Sequence, residues 1–180
     1  MSVLNKDYRE MLQSLLKNEV EFLVVGAYAM GAQGYPRATG DFDIWAKASA
    51  INSRKIYKAL ADFGAPVSNV TDKTFIEKDI IFQIGIMPRR IDIITHIDGV
   101  DFKDAYTTRL VVEIDGLKIP FLSKENIIKN KLASGRPKDR LDVEYLKEVS
   151  SQETGVSSQN GEEIRQKSEC RKKKSKNRKR

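Results

Sequence analysis

The order of apolar and polar positions along the 180 residues predicts alternating helices and strands. Helical spacing of apolar residues, together with helix-ending Gly and Pro residues, predicts helices at 5–18, 27–33, 51–63, 123–134 and 138–149. Shorter apolar runs predict strands at 21–25, 41–46, 79–86, 90–97, 110–114 and 117–121. The last two flank Asp115-Gly116, a strong signal for a hairpin turn. The pattern therefore predicts an α/β (α+β) protein.

Charge divides the chain into a domain and a tail. The net charge is +7, but the last ten residues, 171–180, contain eight Lys or Arg and no acid. Without them 24 basic residues face 25 acidic ones, so the remainder is nearly neutral. We predict one domain over residues 1–150 and a disordered basic tail over 151–180. That tail either contacts phosphates of nucleic acid or is simply solvated; it has no aromatic residues for base recognition.

Composition excludes several classes of protein. The single cysteine, Cys170, excludes a disulfide framework and favours a reducing cytoplasm. The single histidine, His96, excludes His-rich zinc sites and argues against histidine-centred catalysis. No apolar run approaches the roughly 20 residues of a membrane span, and the first residues lack the layout of a secretory signal. We therefore expect a cytoplasmic protein with no membrane partner.

Two carboxylates lie two residues apart on the strand predicted at 41–46. Because side chains alternate along a strand, Asp41 and Asp43 should lie on one face and Phe42 on the other. Asp92 is flanked by Ile91 and Ile93 in another strand, where an unpaired acid is costly. The acid-x-acid pattern alone is weak, because it recurs at Glu19/Glu21, Glu77/Asp79 and Glu113/Asp115. In its apolar frame, the set Asp41, Asp43 and Asp92 predicts a Mg²⁺ site for phosphoryl transfer.

These residues resemble the nucleotidyltransferase superfamily that includes DNA polymerase β. The resemblance rests on Gly26 followed by a small residue, then Asp41-x-Asp43, then the lone Asp92 in a later strand. It implies the nucleotidyltransferase fold, a small mixed sheet flanked by helices, with a short C-terminal helical segment.

A narrower resemblance, over about residues 20–147, is to the small bacterial AbiEii-type toxin and MNT-like nucleotidyltransferases. It rests on Gly-Ala-Tyr-Ala at 26–29, on Gly34-x-x-Arg37-x-Thr39 before the carboxylates, and on Lys-Leu-Ala-Ser-Gly-Arg-Pro-Lys-Asp at 131–139, followed by Asp142. The resemblance implies a toxin–antitoxin component with an antitoxin partner.

The superfamily resemblance implies transfer of a nucleoside monophosphate from an NTP, ATP among them, to an acceptor hydroxyl on RNA, tRNA, protein or a small molecule. Asp41 and Asp43 would hold two Mg²⁺ ions, and Asp92 would bind the catalytic ion and take the acceptor's proton. Backbone N–H groups at Gly26 and Ala27 would face the triphosphate. Many relatives have Ser or Gly after this glycine, and Ala27 lacks the serine hydroxyl.

Arg37, Thr39 and Lys131 complete the predicted nucleotide-binding set, each with an alternative. Arg37 and Thr39 either touch the triphosphate, orient Asp41, or serve the loop only. Lys131 belongs to a basic cluster with Lys129, Arg136 and Lys138, which otherwise balances the charge of a helix end. Trp45 shares the carboxylate face and either stacks on a nucleotide or packs against a helix.

Two other functions fit the same residues. The first is a catalytically weak or inactive module of the same fold that binds nucleotide or RNA, favoured by Ala27 and the basic tail. The second is an enzyme that modifies small molecules such as antibiotics, which would need a partner subunit because the chain lacks a clear second substrate domain.

Overall fold

A computed structural model of the protein describes residues 4–137 and 139–148. The helices are α1 (Lys6–Lys17), α2 (Gly26–Ala32), α3 (Ala50–Phe63), α4 (Phe102–Thr107) and α5 (Lys124–Ser134), with a 3₁₀ turn at Thr74–Ile76. The strands are β1 (Phe22–Val24), β2 (Asp41–Ala46), β3 (Ile81–Ile84), β4 (Arg90–Ile94), β5 (Leu110–Ile114) and β6 (Leu117–Phe121).

The six strands form one mixed sheet in the order β3-β4-β2-β1-β6-β5. Pairs β2/β4 and β1/β6 are parallel, and the other three neighbouring pairs are antiparallel. The hairpin predicted around Asp115-Gly116 joins β5 and β6. The predicted α/β fold with a small mixed sheet flanked by helices is confirmed.

Successive side chains of β2 point to opposite faces of the sheet, and different helices pack against the two faces. Phe42, fully buried, stacks on Tyr8 of α1 at a ring distance of 4.7 Å and meets Tyr28 of α2 edge-on at 4.9 Å. Trp45, on the face of Asp41 and Asp43, meets Phe102 of α4 edge-on at 5.0 Å. Trp45 therefore packs against a helix, the second of its two predicted roles.

Local backbone conformation explains where the elements differ from the sequence prediction. Strand β3 is shorter than the predicted 79–86 because Asp79 and Gly85 adopt positive φ angles of 64° and 77°, which end an extended strand. Helix α4 was not predicted, because it has only six residues. The sequence feature that marks the start of α4 is its N-cap residue, Asp101. The Asp101 carboxylate accepts hydrogen bonds from the N–H groups of Lys103 and Asp104.

The chain divides into two units, Met1–Arg136 and residues from Pro137 onward. In the second unit residues 139–148 are helical, as predicted for 138–149. The basic tail predicted at 151–180 lies outside the described residues. Among those described, no helix is both long and apolar enough to cross a bilayer.

Candidate metal and nucleotide site

The turn between β1 and α2 brings the helix start against β2. Gly26 begins α2 with φ +64°, and the Val25 N–H donates to the carbonyl of Asp43 at 3.0 Å. A Cβ added at Gly26 would lie 2.2 Å from Asp43 Oδ2. Two features therefore require glycine at this position. Its backbone is left-handed, and the Asp43 carboxylate occupies the space that a side chain would need.

The register of β2 against β4 brings the three predicted carboxylates together. Asp43 lies directly beside Asp92, and Asp41 beside Arg90, in the parallel pair. One carboxylate oxygen from each of Asp41, Asp43 and Asp92 lies within 4.8 Å of the others. The geometric prediction made for these residues agrees with the structure, while their catalytic roles remain predictions.

Arg90 belongs to this cluster, although it was not among the site residues predicted from the sequence. Its Nε donates to Asp92 Oδ1 at 2.8 Å, and its Nη2 donates to Asp92 Oδ2 at 2.9 Å and to Asp41 Oδ2 at 3.1 Å. Gln83 Nε2, from β3, donates to the same Asp92 Oδ2 at 3.2 Å. The signal in the sequence is its position, two residues before Asp92 and thus on the same strand face.

Electrostatics single out Asp43 among the three acids. Burial first, and then the negative charges of Asp41 and Asp92, raise the pKa of Asp43 from 3.8 to about 6, against the lowering effect of Arg90 and Arg136. A carboxylate held among like charges is stabilised by an added cation. The cluster therefore has excess negative charge that a bound metal ion would neutralise.

The donor set fits a hard divalent cation. All three side chains offer carboxylate oxygens, which suit Mg²⁺, Mn²⁺ and Ca²⁺, and the cluster includes no thiolate or imidazole of the kind that favours zinc. Their mutual distances allow one ion to contact all three. The residues present therefore fit a divalent metal such as the family resemblance implies.

Three residues of the predicted nucleotide-binding set, Ala27, Arg37 and Thr39, line a cavity of about 400 Å³. Its apolar wall includes Val112 and Phe121 of the β5–β6 hairpin. Strand pairing places Phe121 beside Val24 and Val24 beside Ile44, so this wall belongs to the face of the sheet opposite the carboxylates. The side chain of Ala27 has no hydrogen-bonding group, so a phosphate contact from this residue would come from its backbone N–H.

Thr39 connects that loop to the carboxylates. Its Oγ1 donates to Asp41 Oδ1 at 2.5 Å, so of the roles left open for Thr39 the contacts favour orientation of Asp41. Lys131 lies in the last turn of α5, with a part-exposed side chain. Arg136, another member of its basic cluster, lowers the pKa of Asp43 through its charge. The nucleotide-binding role of Lys131 remains a prediction.

Replacement of Thr39 by valine should reduce catalysis without unfolding the protein. Valine keeps the shape but removes the hydroxyl that donates to Asp41, so Asp41 loses one restraint on its orientation. We expect activity to fall about three- to tenfold, with a change in unfolding free energy below about 1 kcal/mol. Steady-state kinetics and thermal melts measure both, and Thr39→Ser should restore activity. Full activity in Thr39→Val would show that the hydroxyl does not orient Asp41.

Residues 3–154 match the family described as "Nucleotidyltransferase of unknown function (DUF6036)". The chain is similar to a crystal structure of a provisionally assigned nucleotidyltransferase from Thermotoga maritima, with 18% sequence identity and a TM-score of 0.52. That likeness covers 84% of this chain and 91% of the other, and it concerns the fold alone. No curated protein matches the chain.

Proposed function

Because this chain belongs to the family described as nucleotidyltransferase of unknown function, we propose that it transfers a nucleoside monophosphate from an NTP to an acceptor hydroxyl, with release of pyrophosphate. The observation that supports this most directly is the convergence of Asp41, Asp43 and Asp92, from two neighbouring strands, within 4.8 Å. We assign this reaction to the domain of residues 1–150, with residues 151–180 as an accessory segment.

The three acids differ in their proposed roles. Asp41 and Asp43 would hold two Mg²⁺ ions, whereas Asp92 would both ligate the catalytic ion and accept the proton of the acceptor hydroxyl. When bound, the ions neutralise charge that develops on the transferred phosphoryl group. The chain itself holds the ligands on two paired strands, and Thr39 donates to Asp41.

The nucleotide is held by the start of α2. The backbone N–H groups of Gly26 and Ala27 belong to its first turn, where unpaired N–H groups and the helix dipole favour an anion. Arg37 and Lys131 are proposed as further phosphate contacts. ATP is among the nucleotides proposed as substrate.

The finer proposals rest on sequence motifs. The segments 26–43 and 131–142 support a protein of the AbiEii or MNT type, hence a toxin–antitoxin component whose partner is an antitoxin protein. The acceptor proposed is a hydroxyl of RNA, tRNA, protein or a small molecule. A screen of these acceptor classes with each labelled NTP would identify the substrates.

Nucleotide transfer in vitro tests the proposed reaction. The protein is incubated with α-labelled NTPs and a mixture of RNA, tRNA and protein acceptors, with Mg²⁺ or with EDTA. We expect label in one acceptor class and pyrophosphate release with Mg²⁺, and neither with EDTA, because the three carboxylates supply the metal ligands. Label transfer that is equal in EDTA would exclude the metal-dependent reaction.

An inactive module of the same fold is the second candidate, favoured by the lack of a hydroxyl at Ala27. Calorimetry separates the two candidates. Metal-dependent NTP binding supports the enzyme. RNA binding that is lost on deletion of residues 171–180, together with no NTP binding, supports the module.

A further inference from the structure

Arg90 pairs with two of the three carboxylates that could hold a metal ion. It forms three charged hydrogen bonds, two to Asp92 and one to Asp41, all between 2.8 and 3.1 Å. The Asp92 side chain is only 8% exposed and that of Arg90 only 25%, so solvent screens these contacts less than it screens a surface ion pair. Two of the three candidate ligands are therefore already neutralised in part.

The guanidinium is held there by strand geometry. Arg90 lies beside Asp41 in the β2/β4 register and two residues before Asp92, so all three side chains share one face. Its planar fork matches both oxygens of Asp92, a bidentate geometry that lysine cannot reproduce. Arg90 is thus positioned as the internal counterion of the cluster.

We propose that Arg90 is an exchangeable counterion, which competes with a divalent cation for Asp41 and Asp92 and so sets the metal affinity of the site. This inference rests on the metal-binding role of the carboxylates proposed above. Both oxygens of Asp92 and one oxygen of Asp41 already accept charged hydrogen bonds from the guanidinium, so a second cation at these carboxylates competes with Arg90 for the same negative charge. A positive charge about 3 Å from those oxygens also repels an incoming ion. The affinity for metal alone is therefore lower than three carboxylates would otherwise give.

Mn²⁺ binding to variants of the full chain tests this directly. Calorimetry with Mn²⁺ alone compares the wild type with Arg90→Ala, Arg90→Lys and Arg89→Ala. Arg89 is the matched control, because it is exposed, is the preceding residue, and carries the same charge. We expect Arg90→Ala to bind Mn²⁺ about tenfold tighter or more. Arg89→Ala should stay within about twofold of the wild type, and Arg90→Lys should fall between the two.

Thermal melts give a second readout. In EDTA the melting temperature of Arg90→Ala should fall, because three carboxylates lose their counterion, and Mn²⁺ should raise it more than it raises that of the wild type. If Arg90→Ala does not fold in EDTA, Arg90→Gln replaces it in both measurements, with the same expectation.

Two results would overturn the inference, with different consequences. Mn²⁺ affinity in Arg90→Ala that equals or is weaker than that in Arg89→Ala would show that Arg90 only supports the ligands. The proposed function would survive that result if the wild type binds Mn²⁺ and Asp43→Asn does not. Absence of Mn²⁺ binding in every variant would overturn both the inference and the metal site.

Discussion

Replacement of Asp43 by asparagine is expected to abolish nucleotidyl transfer and at the same time to stabilise the metal-free protein at neutral pH. Asparagine has almost the same shape but no charge, so the site loses one of its three anionic ligands. Loss of electrostatic stabilisation at a phosphoryl-transfer site costs about a thousandfold or more in rate. Initial rates of labelled NMP transfer, compared with the wild type, measure this effect.

The stability gain follows from the pKa of Asp43. Burial and the neighbouring acids raise that pKa to about 6 in the folded protein, above the ordinary value of 3.8. Between these two values the folded state binds more protons than the unfolded state, so the stability of the wild type falls as pH rises from 3.8 to 6. Above that range the ionised Asp43 costs about 2–3 kcal/mol. Asp43→Asn removes this cost.

Denaturant unfolding in EDTA at several pH values tests the stability effect. The variant and the wild type should have similar stability near pH 3.5, and the variant should become more stable as pH rises through 6. Asp72→Asn removes the same charge at an exposed position and should show no such divergence. If the wild type is more stable than Asp43→Asn at pH 7 in EDTA, then burial and the charges of Asp41 and Asp92 do not destabilise the ionised form of Asp43.

The candidate site shows which features a sequence alone can predict. Asp41 and Asp43 could be placed on one face because alternation is a local property of a strand. Asp92 could be selected because an acid between isoleucines needs a partner. That Asp92 lies beside Asp43 depends on the parallel pairing of β2 with β4, which no local pattern specifies. The family resemblance supplied that link.

Arg90 was missed for a related physical reason. A basic residue at the start of a strand usually faces solvent, and its partner Asp41 is 49 residues away in the chain. Only the sheet register shows that Arg90 and Asp41 are neighbours. The limits of β3 were likewise unpredictable, because the positive φ of Asp79 is set by its tertiary context and not by a glycine.

Gly26→Ala is expected to disturb the site by displacing the Asp43 carboxylate, without removing any ligand. The added Cβ would lie 2.2 Å from Asp43 Oδ2 and 3.2 Å from Asp43 Cγ, so the carboxylate must move. A shift of about 1 Å in a ligand costs about a hundredfold in rate. The steric overlap with Asp43 and the strain of alanine in a left-handed backbone should together lower the free energy of unfolding by about 2–4 kcal/mol. Gly34→Ala is the matched control, because Gly34 has φ +88° and, apart from its neighbours in the chain, no described residue comes within 4 Å of an added Cβ.

A double-mutant cycle shows whether the collision with Asp43 is the cause. In an Asp43→Ala background the clashing Oδ2 and Cγ are gone, and the Cβ of residue 43, 3.4 Å away, is at an ordinary van der Waals distance from the new methyl group. Gly26→Ala should then cost only the backbone strain that Gly34→Ala costs, about 1 kcal/mol. The coupling between positions 26 and 43, measured by denaturant unfolding, should therefore be about 1–3 kcal/mol. Additive effects would mean that Gly26 serves the turn alone and that Asp43 does not need the space beside it.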